Sequence, residues 1–552
     1  MTAGGLQQIE IIIVLLAVVV ALTAIARKLL LPYPILLVIG GLLLAMVPGL
    51  PVIRLDPDLV FLVFLPPILW AAAYFTSLRE FRANLRPITL LALGLVLATT
   101  AAVAVVAHAV LPGLGWAAAI ALGAIVSPPD AVAATAIARR LSVPRRIVAI
   151  LEGESLVNDA SALVLYRSAV AAAVSGTFIL RDSLMDFVFA AAVGIGVGLL
   201  VGALTRWALA STDDSFSDIA ITLLAPYVAW VLAETIHASA VLACVTGGIY
   251  VRQHFSEIVA PATRLQARAV WDVVVFVLNG VIFIMLGLQL GAIRTQAFDG
   301  DWASLLRAAV LVSATAIVVR LLWVPVAAWL PRILSAGLRQ RDPMPEFRVL
   351  FLVGWTGMRG IVSLAAALAL PLTAAAGTPF PFRTEIIVIT FVVILSTLVL
   401  QGLSLPLFIR WLKLEADDGA VDEEQALARK HAAGAALTRL NALSAEGWAI
   451  PEQVDQLKVH YDRRVQRFAS PDTHDSECSA EAGESFRRLR HETLSAERAA
   501  AIDLRDRGVI GDEVLHRIEH ELDIEALRLG IGEARMTQGV SPPWTAPGKE
   551  PV

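Results

Sequence analysis

Long apolar runs separated by short basic loops dominate the first three quarters of the chain. Runs such as Ile9–Ala26, Val188–Leu204 and Ile386–Leu400 carry few or no charges. Each approaches the roughly 20 residues that a helix needs to cross a bilayer core. Hydropathy predicts about thirteen spans, at approximately 8–26, 30–49, 58–75, 87–111, 116–137, 147–175, 184–209, 217–236, 239–252, 266–291, 304–331, 346–370 and 384–411. The expected fold is therefore an all-α polytopic membrane protein. From about residue 413 the pattern changes. A polar, acidic stretch at 413–424 reads as a linker, and 425–535 as a small helical cytoplasmic domain. There Glu484, Arg488 and His491 share one face, and Leu504, Val509, Val514, Ile518, Leu522 and Leu527 form an apolar stripe. Residues 536–552, with Pro542, Pro543 and Pro547, read as a disordered tail.

Charge orients the spans. With the N-terminus outside, the inner loops hold Arg27, Lys28, Arg79, Arg82, Arg86, the group Arg139 to Arg146, Arg252, Arg264, Arg268, Arg332, Arg339 and Arg410. The outer side holds far fewer basic residues. This is the positive-inside bias of a multi-pass plasma-membrane protein with its C-terminus in the cytoplasm. Composition adds little beyond this. Of the residues 57% are hydrophobic, and the net charge of −4 gives no sign of nucleic-acid binding. The two cysteines, Cys244 and Cys478, lie in an apolar run and in the tail, an arrangement that predicts no structural disulfide.

Ionisable groups inside a membrane are costly and usually functional, and here they are grouped. In the run Glu152 to Asp159, the residues Glu154, Ser155, Asn158 and Asp159 share one broad helix face. Asp159 lies two turns deeper than Glu152, too deep for a headgroup role. In the fifth span, Ser127-Pro128-Pro129-Asp130 must break the helix, because two prolines remove two backbone donors. Such a break is tolerated at membrane depth only where it is buried in protein or lines a cavity. Asp130 is placed to neutralise the positive end of the half-helix that follows. In the twelfth span, Gly354-Trp355-Thr356-Gly357-Met358-Arg359-Gly360 marks a second break. Interrupted segments at matching positions in two halves point to inverted repeats around a midplane site. Arg359 needs a carboxylate partner, and Glu154 is the candidate, which leaves Asp159 as the free, titratable acid. Glu234, Asp272, Asn279 and Arg320 are further candidates for an ion pathway or for ordinary interhelical contacts. No zinc spacing, phosphate-binding loop or nucleophile elbow is present, so no enzyme and no cofactor is expected. Gly194, Gly196 and Gly198 read as a packing surface.

The run Gly153-Glu154-Ser155-Leu156-Val157-Asn158-Asp159-Ala160 closely resembles the signature of the monovalent cation:proton antiporters of the NhaP and sodium/hydrogen exchanger branch. Phe64-Leu65-Pro66-Pro67-Ile68-Leu69, Ala233-Glu234 with Leu242-Ala243, and Gly357-Met358-Arg359-Gly360 agree in order, and together they cover most of residues 1–412. The resemblance implies two inverted six-helix repeats, a homodimer embedded in membrane lipid, and a core that moves against a dimerisation domain. It implies that Asp159 binds the cation or the proton, that Ser155 and Asn158 support the site, and that Glu154 pairs with Arg359. The transported monovalent cation and the proton are then the only ligands. The chain departs from many relatives in two places. Pro129-Asp130-Ala131 stands where they carry Thr-Asp-Pro, and Trp70-Ala71-Ala72-Ala73 lacks their acidic residue. The site expected is Asp159, Ser155, Asn158, Asp130, Ser127 and Pro129. With neutral Asn158 beside Asp159, the expected exchange is one for one and electroneutral. Two other classes stay open: a proton-coupled carrier for another solute, and a sensor built on a transporter fold.

Overall fold

The computed structural model describes residues 3–467 except 30–31, 49–54, 142, 177–179, 213, 295–301, 375–377, 415–417 and 447, together with parts of 489–525. It divides into two compact units, Met1–Ala416 and Asp417–Val552. The first unit is built of α1 (Ala3–Lys28), α2 (Tyr33–Leu44), α3 (Pro57–Phe75), α4 (Leu85–Val110), α5 (Trp116–Val126), α6 (Ala131–Arg140), α7 (Arg145–Ser175), α8 (Leu180–Ala210), α9 (Ser215–Thr235), α10 (Ala240–Ile258), α11 (Pro261–Arg294), α12 (Trp302–Leu334), α13 (Phe347–Trp355), α14 (Ile361–Leu368) and α15 (Arg383–Leu412). By length and composition, eight helical stretches among the described residues can cross a membrane. The multi-span, all-helical fold expected from hydropathy is present. The only extended pairing among the described residues is an isolated bridge between Thr373 and Pro379.

The helices gather into two packing groups. In one, α2 lies along α11, α1 covers both, and α8, α9, α10 and α3 pack together. Small residues make these approaches possible. A Cβ on Gly41 would strike the Ile284 carbonyl, and one on Gly287 would strike the Val38 carbonyl, so α2 and α11 touch backbone to backbone. Gly194 and Gly198 press α8 on the α10 side at Ser239 and Ala243, whereas Gly196 faces open space. The packing surface expected there is thus made by two of its three glycines. In the other group, α4, α5 and α7 pack side by side, and α12 joins α4, α13 and α15.

Both helix breaks are present. Prolines 128 and 129 end α5, and Asp130 caps α6 by accepting the Val132 N–H at 2.8 Å. The second break separates α13 from α14 at residues 356–360. The two breaks bond to each other. The Asp130 N–H donates to the Met358 carbonyl at 2.6 Å, and the Arg359 Nε–H donates to the Val126 carbonyl at 2.9 Å. The interrupted helices therefore cross at their interruptions.

The second unit contains α16 (Asp418–Ala445) and α17 (Pro451–Arg467), which pack together. The segment read as a linker at 413–424 is helical from Asp418. The expected apolar stripe is corrected in part. Leu522 is buried, but Leu504, Val509 and Val514 are exposed, and Ala501 and Leu515 are buried instead. Glu484, Arg488, His491, Leu527, Cys478 and the 536–552 tail lie outside the described residues.

Candidate functional site

A cavity of about 750 Å³ separates the two helix groups. Its outer rim carries Glu152, Arg252, Arg264 and Arg268, and its lining runs inward past Asp272 and Thr222 to Asn279, Ser155, Asp159 and Ser363. The crossed breaks form part of its wall through Pro128, Pro129, Asp130 and Gly360. Asp159, 7% exposed, stands where α7 and the breaks meet. A bare carboxylate with so little water around it is costly, so it is stable only with a proton or with a cation among oxygen ligands.

The sequence-expected residues divide into two sets. Asp159, Ser155, Asp130, Pro129 and Asn279 line the cavity. Ser127 and Asn158 do not. The Ser127 hydroxyl donates to the Ala124 carbonyl at 3.1 Å, which caps the last turn of α5. Asn158 is fully buried and donates its amide N–H to the Pro129 carbonyl at 3.2 Å. It therefore holds the break against α7, and the Pro129 carbonyl is already engaged. The Asn158 Oδ1 has no hydrogen-bond partner among the described residues.

The expected partnership of Glu154 with Arg359 is not the one formed. Glu154 and Arg320 make a two-pronged ion pair, both side chains 1% exposed, with Arg320 Nη2 to Glu154 Oε2 at 2.8 Å and Arg320 Nη1 on Oε1. Arg359 instead donates to backbone carbonyls of Val126, Gly357 and Ala316. The reason is the end of a helix. The break leaves carbonyls of α5 without amide partners, and a guanidinium among them is satisfied by dipoles at the negative helix end. Arg320 does the same for the other broken helix, donating from Nε and Nη2 to the Val353 carbonyl in α13 at 3.3 and 3.2 Å. Arg320 thus ties α7 to the end of α13 and is not part of the cavity lining. Glu234 is not part of the lining either. It pairs with Arg167 at 2.8 Å where both are about half exposed. It lies about 18 Å of helix beyond Thr222, the α9 residue in the cavity wall.

The electrostatic plan of the crossing is symmetrical. Arginines meet the carbonyl ends of α5 and α13, and one carboxylate, Asp130, meets the amide ends of α6 and α14. A Cβ on Gly360, the residue before α14, would overlap Asp130 Oδ2. Gly360→Ala is therefore expected to force the crossing apart and to lower the melting temperature in detergent by more than Gly337→Ala, where a Cβ meets nothing within 4 Å. Equal shifts for the two variants would show that Asp130 yields freely.

Sequence reasoning also missed a support for α7. Between Leu90 and Leu95 helix α4 makes a π turn. Ser161 donates to the Ala92 carbonyl at 2.7 Å and Trp323 to the Leu90 carbonyl at 3.1 Å. The π turn shifts backbone pairing in α4, and side chains from α7 and α12 take up its carbonyls. Ser161, two residues from Asp159, carried no sequence signal that separates it from an ordinary small residue.

Comparison with known proteins identifies the family and the fold. The pattern of the family described as sodium/hydrogen exchanger, transmembrane, matches residues 14–411. An uncharacterised Na+/H+ exchanger of Mycobacterium tuberculosis is 37% identical over 526 residues, 94% of this chain and 96% of its own length. A sodium, potassium, lithium and rubidium/H+ antiporter of Bacillus pumilus is 35% identical over 410 residues, 72% of this chain and 60% of its own. Among solved structures, the sodium proton antiporter MjNhaP1 of Methanocaldococcus jannaschii superposes with a TM-score of 0.58 at 19% identity. It covers 74% of this chain and 99% of that one, which shows a shared fold.

Proposed function

We propose that this chain, which belongs to the sodium/hydrogen exchanger family, exchanges one monovalent cation for one proton at Asp159 by alternating access. The observation that carries this reading is the placement of Asp159: almost dry, beside two crossed helix breaks, at the inner reach of a cavity lined by both helix groups. Oxygen ligands for a desolvated cation are at hand in the Asp159 carboxylate, the Ser155 hydroxyl and the Asp130 carboxylate. A proton and a cation compete for the same charge, so the carboxylate carries one or the other across. Neutral Asn158 is committed to the Pro129 carbonyl, which leaves Asp159 as the carrier and makes the exchange electroneutral.

The rim residues Arg252, Arg264 and Arg268 belong to the basic side of the topology, which supports an inner-facing cavity in a plasma-membrane protein with a cytoplasmic C-terminus. Rocking of one helix group against the other would move the site to face outward. A homodimer is part of the same reading and rests on the family resemblance. The names of the Bacillus relatives extend the cation panel to potassium, lithium and rubidium. The test is a proteoliposome with an enclosed pH dye. Sodium or another alkali cation added outside is expected to drive proton movement at a rate that does not change when a potassium diffusion potential is imposed. A potential-dependent rate at saturating cation would overturn the one-for-one stoichiometry, and no proton movement with any alkali cation would overturn the antiport reading.

A further inference from the structure

A second cleft, of about 240 Å³, lies on the other flank of the helix group that carries Asp159, among the ends of α4, α7, α12 and α13. Its walls are chiefly apolar, with Leu91, Ile147, Ile150, Val324, Ala327 and Val349. Its rim is basic. Arg86, Arg146 and Arg332 all converge on one carboxylate, Asp342, which receives Arg86 Nη2 at 2.7 Å, Arg332 Nη2 at 2.7 Å and Arg146 Nη2 at 3.1 Å. Arg332 is 4% exposed and also donates to the carbonyls of Asp342 and Ala328, so it is built into the site. Arg86 and Arg146 keep 30% and 54% of their side-chain surfaces open. Burial acts to raise the Asp342 carboxyl. The hydrogen bond and charge of Arg146, with the charges of Arg332 and Arg86, outweigh it and hold the group below its ordinary range. Asp342 is thus ionised. Glu346 is the second acid at the cleft, so among the described residues three basic side chains face two acidic ones, a formal excess of one positive charge.

We propose that this cleft binds an anionic phospholipid, with part of an acyl chain against the apolar walls and its phosphate on Arg86 and Arg146. A phosphodiester supplies the one negative charge that balances the rim, and its oxygens can take the N–H groups that Arg86 and Arg146 do not already give to Asp342 and Asn84. The apolar interior offers nothing to a free phosphate ion, and a zwitterionic lipid brings no net charge. On the adjoining surface α12 turns Val326, Leu330 and Ile333 outward, so a chain can enter from the bilayer. Basic pockets between spanning helices at the membrane surface are the usual seats of such lipids. The bound lipid would tie α4, α7, α12 and α13 together at their ends, and so stabilise the group that carries the ion site as one body.

The experiment uses the full chain, purified in a neutral detergent, with the melting temperature read on adding phosphatidylglycerol, phosphatidylcholine or inorganic phosphate. Phosphatidylglycerol alone is expected to raise it. The rise should be lost in the Arg86→Gln/Arg146→Gln variant, which removes the charge, and in Ala327→Phe, which fills the cleft and leaves the charge. The second variant decides the matter if the first does not fold. An equal rise with inorganic phosphate would overturn the lipid in favour of a free anion. A rise with phosphatidylglycerol that persists in Ala327→Phe, or no rise in the unaltered protein, would overturn the site.

Discussion

Asp159→Asn abolishes exchange, bringing cation-driven proton movement in vesicles down to the level of protein-free controls, while the protein still folds and inserts. The side chain keeps its shape and loses its charge. It then binds neither a proton at neutral pH nor a monovalent cation with useful strength, because an amide oxygen cannot neutralise a cation in a dry site. The structure also predicts that the fold survives. No hydrogen bond to the Asp159 side chain is among those described, and it faces the cavity rather than a packed partner. Its neighbour Asp130, by contrast, caps α6 and lies against Gly360, so Asp130→Asn should weaken the fold as well as transport. Measuring both the melting temperature and the initial exchange rate separates the two aspartates. Residual saturable exchange in Asp159→Asn would mean that the cation is carried elsewhere, with Asp130 the next candidate.

The second large effect is on stability. Arg320→Met or Glu154→Gln alone removes one partner of a fully buried ion pair and leaves the other uncompensated, a loss of about 3–5 kcal/mol. Arg320→Met also takes two donors from the Val353 carbonyl and leaves it only the Thr356 hydroxyl among those described, so it should be the more damaging of the two. The double variant Glu154→Gln/Arg320→Met leaves no unpaired charge and should recover part of the loss. Glu154→Gln combined with Arg359→Met should recover much less, because Arg359 is satisfied by backbone carbonyls and not by Glu154. A double-mutant cycle on melting temperature reads the difference directly. Stronger coupling of Glu154 to Arg359 than to Arg320 would refute the pairing described above.

Much of the site was legible because membranes penalise charge. The bilayer argument alone singled out Glu154, Asp159, Arg320 and Arg359, and the double proline and the glycine cluster located both breaks. That argument did not assign partners. Two buried arginines and one buried structural glutamate admit either pairing, and each arginine has a second kind of partner, the carbonyls of a broken helix, which spacing along the chain does not reveal. Asn158 was expected at the site from the family resemblance, and Ser127 from its place at the break beside Asp130. In the fold the Ser127 hydroxyl and the Asn158 amide N–H donate to backbone carbonyls at the break, partners that only the packed helices supply. Glu234 sat in a matching motif but at the far end of its helix, so it faces an exposed arginine.

By itself, the amino-acid sequence determined the class of protein, the order of the helices and their breaks, and it singled out Asp159 as the candidate acid. Each of these follows from short-range rules: apolar length sets a span, proline removes a donor, and a lone carboxylate in an apolar run has to be used. The three-dimensional arrangement decided which charges neutralise one another, which polar groups open onto water, and that three arginines from separate segments gather around Asp342. These are matters of where distant segments meet. Electrostatic attraction and hydrogen bonding act over a few ångströms of space, and residues 166 positions apart, such as Glu154 and Arg320, become neighbours only when the helices have packed.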